Sequence, residues 1–210
     1  MKSKKYIDLW AIEKTFYEKY GTGICGIDEA GRGPLCGPVY AGAVILPENV
    51  DIKGINDSKK LSEKKRNELF EVIKEKAVAW SVAFASAEEI DDLNILNATF
   101  LAMRRAVQGL SVKPDFVLID GNRMKGLALP FECIVKGDSL SINIAAASIM
   151  AKVSRDRYME ELSLQYPQYN LSKHKGYPTI EHYKLLKEHG TCSIYRKSFL
   201  KNLDEKFITI

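Results

Sequence analysis

The sequence predicts an α/β fold, in which helices flank a mixed central sheet and a helical region follows at the C-terminal end. Three short apolar or alternating segments follow one another between residues 24 and 86, and helical periodicity then alternates with two more short apolar runs. The composition supports a folded chain, because 46% hydrophobic and 28% charged residues are ordinary values for globular proteins. A length of 210 residues suits one domain with one active site.

The first half of the chain predicts two helices and three strands. Residues 5–20 place apolar side chains at near-helical spacing, and Gly21 and Gly23 end the pattern, so we predict a leading helix there. A second helix begins after Ser62, a good N-cap residue, and repeats apolar side chains every four positions as far as Ala77. The short apolar segments, bounded by glycine and proline, predict strands at residues 24–30, 39–46 and 80–86.

The second half predicts two strands among longer helices. Helical patterns cover residues 87–110, until Lys113-Pro114 breaks the run. Residues 144–148 are small, which indicates that their helix packs closely on a sheet or on a substrate backbone. The predicted elements are strands at 116–120 and 133–137 and helices at 141–165 and 179–189, followed by a tail rich in loops.

The distribution of charge indicates an anionic partner. Residues 136–210 carry 12 basic and 8 acidic side chains, whereas residues 1–135 carry 19 of each. A basic C-terminal third suits nucleic acid, although an ordinary solvated surface produces the same excess. No apolar run approaches the roughly 20 residues that cross a bilayer, so we expect a cytoplasmic protein without membrane contact. The four cysteines form no C-x-x-C pair, which favours free thiols over disulfides or structural zinc.

Four carboxylates lie at the ends of predicted strands. Asp28 and Glu29 interrupt the first strand, Asp120 ends a buried one, and Asp138 follows the short strand after it. A carboxylate at a buried strand is costly unless it is paired or binds a cation, and several together indicate a metal site. Oxygen ligands without histidine or cysteine favour Mg²⁺ or Mn²⁺, and two such ions can clamp the oxygens of a phosphoryl displacement.

Each acid alone has an equally ordinary explanation, as a turn residue or as half of an ion pair. The adjacent Asp28 and Glu29 raise a further difficulty, because neighbours on a strand point to opposite faces. Either a bend at Ala30-Gly31 or a contact through the backbone carbonyl of Glu29 would bring both residues to the metals.

Three loops carry candidate binding residues. Residues 31–37, hereafter the GRG loop, match neither nucleotide-binding fingerprint, but Gly31 and Gly33 allow a ligand close to the backbone and Arg32 offers a guanidinium for phosphate. A tight turn with a solvated arginine would give the same pattern. Basic loops surround Lys59 and Tyr177, and the tyrosine ring is able to stack on a sugar or base.

Taken together, these segments resemble the bacterial ribonuclease HII family, which is the type 2 ribonuclease H family. No single segment carries the resemblance, and the segments occur in the order of the family from residue 23 to about residue 180. They are GIDEAGRGPLCGPVYAGAVIL (26–46), NDSKKLSEKKR (56–66), LNILNATFLAMRRAV (93–107), VLIDGNR (117–123), VKGDS (135–139), IAAASIMAKVSRDRYM (144–159) and QYNLSKHKGYPT (168–179).

The resemblance implies a ribonuclease H-like fold and an endonuclease. Such an enzyme cuts the RNA strand of RNA–DNA hybrids and the phosphodiester 5′ to a single ribonucleotide embedded in duplex DNA, leaving 3′-hydroxyl and 5′-phosphate ends through two metal ions. The resemblance assigns a type 2 ribonuclease H domain to residues 23–210, and residues 1–22 precede the common core of the family as an N-terminal helical extension. Within that domain the α/β core ends at about residue 160 and a helical part covers about 161–210. We expect a monomer.

The resemblance also assigns roles to residues. The four acids of the family fall on the four carboxylates named above, as catalytic residues and metal ligands. For Asp138 a second role stays open, in which it orients water or the departing metal instead of binding a metal directly. The loop that senses the 2′-hydroxyl falls on Gly31, Arg32 and Gly33. Tyr177 matches the tyrosine that packs on the deoxyribose at the junction, and Lys59 is the expected phosphate contact.

Three other functions remain open at this point. A type 3 ribonuclease H would share the acids but usually has a longer N-terminal domain and a different loop in place of GRG. A hybrid-binding module without catalysis would lack some of the acids. Another acid-cluster phosphohydrolase would need neither the GRG loop nor Tyr177.

Overall fold

A computed structural model describes residues 8–201 of the protein. Five strands form one mixed sheet in the spatial order β3-β2-β1-β4-β5. Strand β1 pairs antiparallel with β2 and parallel with β4, and β4 pairs parallel with β5. The strands are Ile24–Ala30 (β1), Val39–Ile45 (β2), Ala79–Ala85 (β3), Phe116–Asp120 (β4) and Phe131–Ile134 (β5).

Helices cover both faces of this sheet. Helix α4 packs on one face over β1, β2 and β3, and α5 lies on the other face with α2 beside it. None of the helices between residues 8 and 201 is long and apolar enough to cross a membrane. The helices are Ala11–Tyr20 (α1), Glu63–Lys76 (α2), Ala87–Leu93 (α3), Ile95–Gln108 (α4), Ile142–Gln165 (α5), Leu171–His174 (α6) and Ile180–His189 (α7).

The close approach of α5 to the sheet depends on small residues on both sides. A Cβ atom at Gly42 of β2 would collide with the backbone carbonyl of Ala147 in α5, and Gly26 of β1 meets the backbone of Asn143 in the same way. The prediction that residues 144–148 pack on a sheet is therefore confirmed. This contact fixes the position of α5 directly behind β1, the strand that carries the first two acids.

The predicted α/β class and most elements are confirmed, with differences at the ends. The leading helix begins at Ala11, and residues 5–7 of the predicted element lie outside the described range. The strand predicted at 133–137 is displaced and covers Phe131–Ile134, because Lys136 adopts a left-handed conformation with φ of 60°. Asp138 consequently lies in a one-turn 3₁₀ helix, Gly137–Ser139, rather than directly after a strand.

Helix α1 is fastened to the core rather than detached from it. The rings of Phe16 and Tyr20 stack on Phe116 of β4, with centroids 4.7 and 4.2 Å away. Glu13 is fully buried and its Oε1 accepts hydrogen bonds from the Ser141 hydroxyl and the backbone N–H of Asn143. This carboxylate therefore holds α1 against the first turn of α5.

Candidate active site

The parallel strands bring the predicted acids to one edge of the sheet. The carboxyl ends of β1, β4 and β5 lie together, and Ile27 of β1 pairs with Ile119 of β4, so Asp28 and Asp120 follow at the same level. Asp138 reaches this edge from the 3₁₀ helix after β5. We call Asp28, Glu29, Asp120 and Asp138 the carboxylate cluster. The outer ends of parallel strands are where open α/β sheets bind their ligands.

The fold holds the four acids of the carboxylate cluster together although their negative charges repel one another. Burial raises the pKa of Asp28 well above its usual value, and the charges of Glu29 and Asp120 raise it further. The pKa of Asp120 is also raised, by burial and then by Asp138. Burial raises the pKa of Glu29, although Arg32 opposes the shift. Such mutual repulsion is relieved when a cation binds among the acids.

Backbone donors fix two of the acids in place. Oδ1 of Asp28 accepts a hydrogen bond from the N–H of Glu29 at 2.7 Å. Oδ1 of Asp120 accepts one from the N–H of Gly137, also at 2.7 Å, which ties the segment of Asp138 to the end of β4. Both carboxylates therefore have a fixed orientation before any ligand arrives.

The two adjacent acids do occupy opposite faces of β1, and both still belong to the cluster. Asp28 is buried on the face covered by α5, where Ser148 hydrogen-bonds its carboxylate. Glu29 lies on the other face and, with Asp120, lines a cavity of about 160 Å³ beside α4. The charge of Asp120 raises the pKa of both neighbours, so the two acids face a common strand edge although they lie on opposite faces.

Two cationic side chains border the carboxylate cluster. The Lys59 ammonium lies 3.5 Å from Oδ2 of Asp138, and the Arg32 guanidinium lies 3.3 Å from Oε1 of Glu29. Burial lowers the pKa of Lys59, but Asp28 and three other aspartates outweigh it, so the net pKa is raised. Carboxylates from several elements thus stabilise the Lys59 ammonium, which indicates that this position favours a cation.

The four acids lie near one another but do not form a complete set of metal ligands. Within residues 8–201, no three His, Cys, Asp or Glu side chains already converge as a set of metal ligands. The donor chemistry nevertheless fits hard divalent cations, because the cluster offers carboxylate oxygens only and already attracts the Lys59 ammonium. The chemistry of these acids therefore suits Mg²⁺ or Mn²⁺.

The GRG loop and the loop of Tyr177 lie side by side next to the cluster. A Cβ atom placed on Gly33 would lie 3.6 Å from Cε1 of Tyr177, which is ordinary contact. The ring is 39% exposed, and Lys152 and Arg155 place their cationic groups 5.8 Å from its centroid. The structure thus places Gly33 beside the exposed Tyr177 ring, with the Lys152 ammonium and the buried Arg155 guanidinium close to that ring.

The loop of Tyr177 is held by a pair of histidines that sequence reasoning did not select. The Tyr177 carbonyl accepts a hydrogen bond from Nδ1 of His182, so Nε2 of the neutral ring accepts from the Tyr195 hydroxyl at 2.9 Å. The His174 ring stacks on His182 with a centroid separation of 4.1 Å. Proline at 178 and this buried pair together fix the backbone of the tyrosine.

Ser148 is a second residue that sequence reasoning missed. Its hydroxyl lies 2.8 Å from that of Ser58, and it also hydrogen-bonds Asp28. It therefore links the loop that carries Lys59 to the first acid. Only its place among the small residues of α5 marked it in the sequence, and that pattern indicated packing rather than a polar contact.

Comparison with known proteins gives a consistent result. The family model for ribonuclease HII matches residues 25–202. A ribonuclease HII from Caldicellulosiruptor saccharolyticus is 54% identical over 86% of this chain and 88% of its own, and one from Vibrio parahaemolyticus is 58% identical over 84% and 83%. The crystal structure of the ribonuclease H2 from Pyrococcus horikoshii superposes with a TM-score of 0.70 at 26% identity, covering 89% of this chain and 99% of that one.

Proposed function

This chain belongs to the ribonuclease HII family, whose members are endonucleases that hydrolyse RNA in RNA–DNA hybrids, and we propose that it also cuts 5′ to a single ribonucleotide embedded in duplex DNA. The products are a 3′-hydroxyl and a 5′-phosphate. The residues that carry the proposal are the carboxylate cluster for the reaction and Gly31, Arg32, Gly33, Lys59 and Tyr177 for the substrate.

One observation supports recognition of a lone ribonucleotide above the others. The GRG loop connects the two halves of the site, because Arg32 contacts Glu29 of the cluster while Gly33 lies against the Tyr177 ring. A ribose next to the scissile phosphate would therefore meet loop backbone on one side and a flat ring on the other. The 2′-hydroxyl is the group that distinguishes RNA from DNA at such a position, and backbone groups are able to hydrogen-bond it.

The four carboxylates act as the cation-binding groups of the reaction. Asp28, Glu29, Asp120 and Asp138 would hold two Mg²⁺ or Mn²⁺ ions, which when bound would supply positive charge to the phosphate oxygens and lower the pKa of a water molecule. Asp28 and Asp120 contribute orientation as well as charge, since backbone N–H groups already fix one oxygen of each. The Asp138 carboxylate is paired with the Lys59 ammonium, so its role in binding the cations is the least fixed of the four.

The bordering cations serve the phosphate backbone. Lys59 is more than three-quarters exposed at its side chain and Arg32 about half, so both are able to leave their carboxylates for a phosphate when divalent ions occupy the cluster. An arginine binds phosphate through two parallel hydrogen bonds, whereas a lysine acts as a point charge. Neither contact reads base identity, so sequence specificity is low.

The test is cleavage of a short DNA duplex that contains one ribonucleotide in one strand. We expect a single cut on its 5′ side in the presence of Mg²⁺ or Mn²⁺, with product ends identified by comparison with synthetic oligonucleotides. The matched duplex of DNA alone and a free phosphomonoester serve as negative controls, and a continuous RNA–DNA hybrid serves as the positive control for the family activity.

The outcomes separate the alternatives. Cleavage of the hybrid without cleavage at the lone ribonucleotide would leave the family activity and remove the proposed specificity, as a type 3 ribonuclease H would. Hydrolysis of the phosphomonoester would indicate a general acid-cluster phosphohydrolase. Binding of the hybrid without cleavage would indicate a module that only binds nucleic acid.

A further inference from the structure

Arg196, in the segment after α7, organises the GRG loop from within. Its side chain is fully buried, and its guanidinium donates hydrogen bonds to four carbonyl oxygens of the loop. The distances are 2.7 Å to Gly31, 3.1 Å to Arg32, 2.8 Å to Pro34 and 2.9 Å to Gly37. One side chain thus fixes most of the backbone between the first strand and the second.

Arg155 of α5 joins this loop to the loop of Tyr177. It is also fully buried, and it donates hydrogen bonds to the carbonyls of Cys36 and Pro38 at 3.3 and 3.2 Å. Its third bond goes to the carbonyl of Lys175 at 3.0 Å. Because Lys175 is two residues from Tyr177, Arg155 sets the spacing between the ring and the GRG loop.

Neither guanidinium contacts a carboxylate within the described part of the chain. A buried cation without an acidic partner is costly unless hydrogen bonds satisfy it, and here seven carbonyl bonds do so. Burial, and then the charge of Arg155, lower the pKa of Arg196 to about 9, which still leaves the group charged at neutral pH. Such an arrangement holds the loop rigidly at a considerable desolvation cost.

The direction of these carbonyls determines which backbone groups of the GRG loop are accessible to a substrate. In a trans peptide the C=O and the following N–H point in opposite directions. Since the carbonyls of Gly31 and Arg32 point inward at Arg196, the N–H groups of Arg32 and Gly33 point outward, and neither donates to a protein acceptor within residues 8–201. Two free backbone donors therefore face the space beside the Tyr177 ring.

We infer that Arg196 is a positioning residue for ribose recognition, which turns the backbone N–H groups of Arg32 and Gly33 toward the 2′-hydroxyl, with Arg155 holding Tyr177 at the matching distance. The inference rests on the proposed function, because it assigns the reading of the ribose to the GRG loop. It gives the C-terminal segment a role in selectivity although that segment lies outside the carboxylate cluster.

The test uses Arg196→Lys, which keeps a buried positive charge but cannot reproduce the flat fork that reaches four carbonyls. The measurement is the ratio of Kd values for two otherwise identical duplexes, one of DNA alone and one with a single ribonucleotide, by fluorescence anisotropy without divalent cations. We expect the preference for the ribonucleotide to fall on the order of ten-fold, as small displacements of binding groups commonly cause, with most of the loss in the affinity for the duplex that contains the ribonucleotide.

The matched control is Arg105→Lys. Arg105 also donates several hydrogen bonds, to both oxygens of Glu89 and to the carbonyl of Phe84, but it touches neither loop nor the carboxylate cluster. This variant should keep the wild-type ratio. An equal fall in both variants, or a wild-type ratio in folded Arg196→Lys, would overturn the inference. If Arg196→Lys does not fold, Arg155→Lys takes its place with the same expected fall.

A second readout separates this inference from the proposed function. Hydrogen–deuterium exchange should rise in folded Arg196→Lys for peptides covering residues 31–38, with no rise in the strands. If the wild-type protein shows no preference for the ribonucleotide, the proposed function fails. The exchange result then decides whether Arg196 positions the loop, and unchanged exchange would reject that role.

Discussion

The carboxylate cluster and the GRG loop are neighbours that are built on opposite principles. The cluster gathers like charges, so that burial and repulsion raise the pKa of Asp28 and of Asp120. The GRG loop instead has most of its carbonyl oxygens hydrogen-bonded by Arg155 and Arg196. The first region concentrates a repulsion that a bound cation would relieve, whereas the second uses buried charge to fix backbone direction. Mutations should therefore affect activity and stability differently in the two regions.

Removing one acid should give the largest effect. We expect Asp28→Asn to lower cleavage on the order of 100- to 1000-fold, the range observed when one electrostatic group of an active site is removed. Its melting temperature without divalent ions should stay equal or rise, because the repulsion with Glu29 and Asp120 is relieved. Turnover and thermal unfolding of the same preparation provide the measurement. Glu132→Gln, which removes an exposed charge from β5, is the matched control and should change neither.

The other acids should follow the same pattern with one exception. Glu29→Gln and Asp120→Asn should resemble Asp28→Asn, whereas Asp138→Asn should cost less activity because Lys59 already neutralises part of its charge. A variant that keeps near-wild-type turnover at low metal concentration would not belong to the cation-binding set.

Removal of the exposed ring should have the next largest effect. Tyr177→Ala loses a stacking contact of about 1–3 kcal/mol, which corresponds to roughly 5- to 150-fold in activity at a single-ribonucleotide junction. Tyr177→Phe should retain most activity, since the ring face makes the contact. Both variants are measured on the junction duplex and on a continuous hybrid. Equal losses in Ala and Phe would assign the effect to the hydroxyl, and losses that follow the melting temperature on both substrates would make the ring structural.

Substitutions at the two glycines of the GRG loop should affect different properties, stability in one case and recognition of the ribonucleotide in the other. Gly31 has a φ of 97° and a Cβ there would collide with Arg155, so Gly31→Ala should lose about 1–3 kcal/mol of stability from backbone strain alone. Gly33→Ala should leave the melting temperature unchanged, because its Cβ makes ordinary contact with Tyr177. It should nevertheless weaken the preference for a ribonucleotide, because the added methyl group narrows the slot beside the ring.

Kd ratios for ribonucleotide and all-DNA duplexes, with thermal melts of both variants, provide the measurement. If Gly33→Ala keeps the wild-type preference, the loop does not sense the 2′-hydroxyl.

Acidification should have the smallest effect on activity near neutral pH, and it acts on the stability of the tyrosine loop. Burial, reinforced by His174, lowers the pKa of His182 from 6.5 to about 4. Between pH 6.5 and 4, His182 therefore binds a proton in the unfolded chain but not in the folded chain. The resulting stabilisation of the folded state is fully present above pH 6.5 and is lost as the pH falls toward 4. The loss amounts to roughly 3 kcal/mol for the full shift.

Melting temperatures between pH 7.5 and 4.5 test this expectation. Wild-type protein should lose stability more steeply than His182→Gln, whereas His189→Gln, at the exposed end of α7, should follow the wild type. Parallel curves for wild type and His182→Gln would show that the buried pair does not control the acid response.

The amino-acid sequence by itself determined the α/β class, four of the five strands to within a residue, and the four acids of the carboxylate cluster. These features depend on local patterns, namely a period of two or 3.6 residues and acids placed where apolar runs end. The fifth strand was displaced because the left-handed backbone at Lys136 breaks the pattern inside a run that still looks apolar.

Only the tertiary structure decided how the site is supported. Arg196 bonds to a carbonyl 165 residues away, and Ser148 meets a hydroxyl 90 residues away. Nothing near Arg196 in the chain distinguishes it from a solvated arginine, since its partners are backbone carbonyls that every residue possesses. The positions of the acids can thus be predicted from local sequence. The geometry of the GRG loop instead depends on long-range contacts between a charged side chain and backbone carbonyls, which carry no sequence signal.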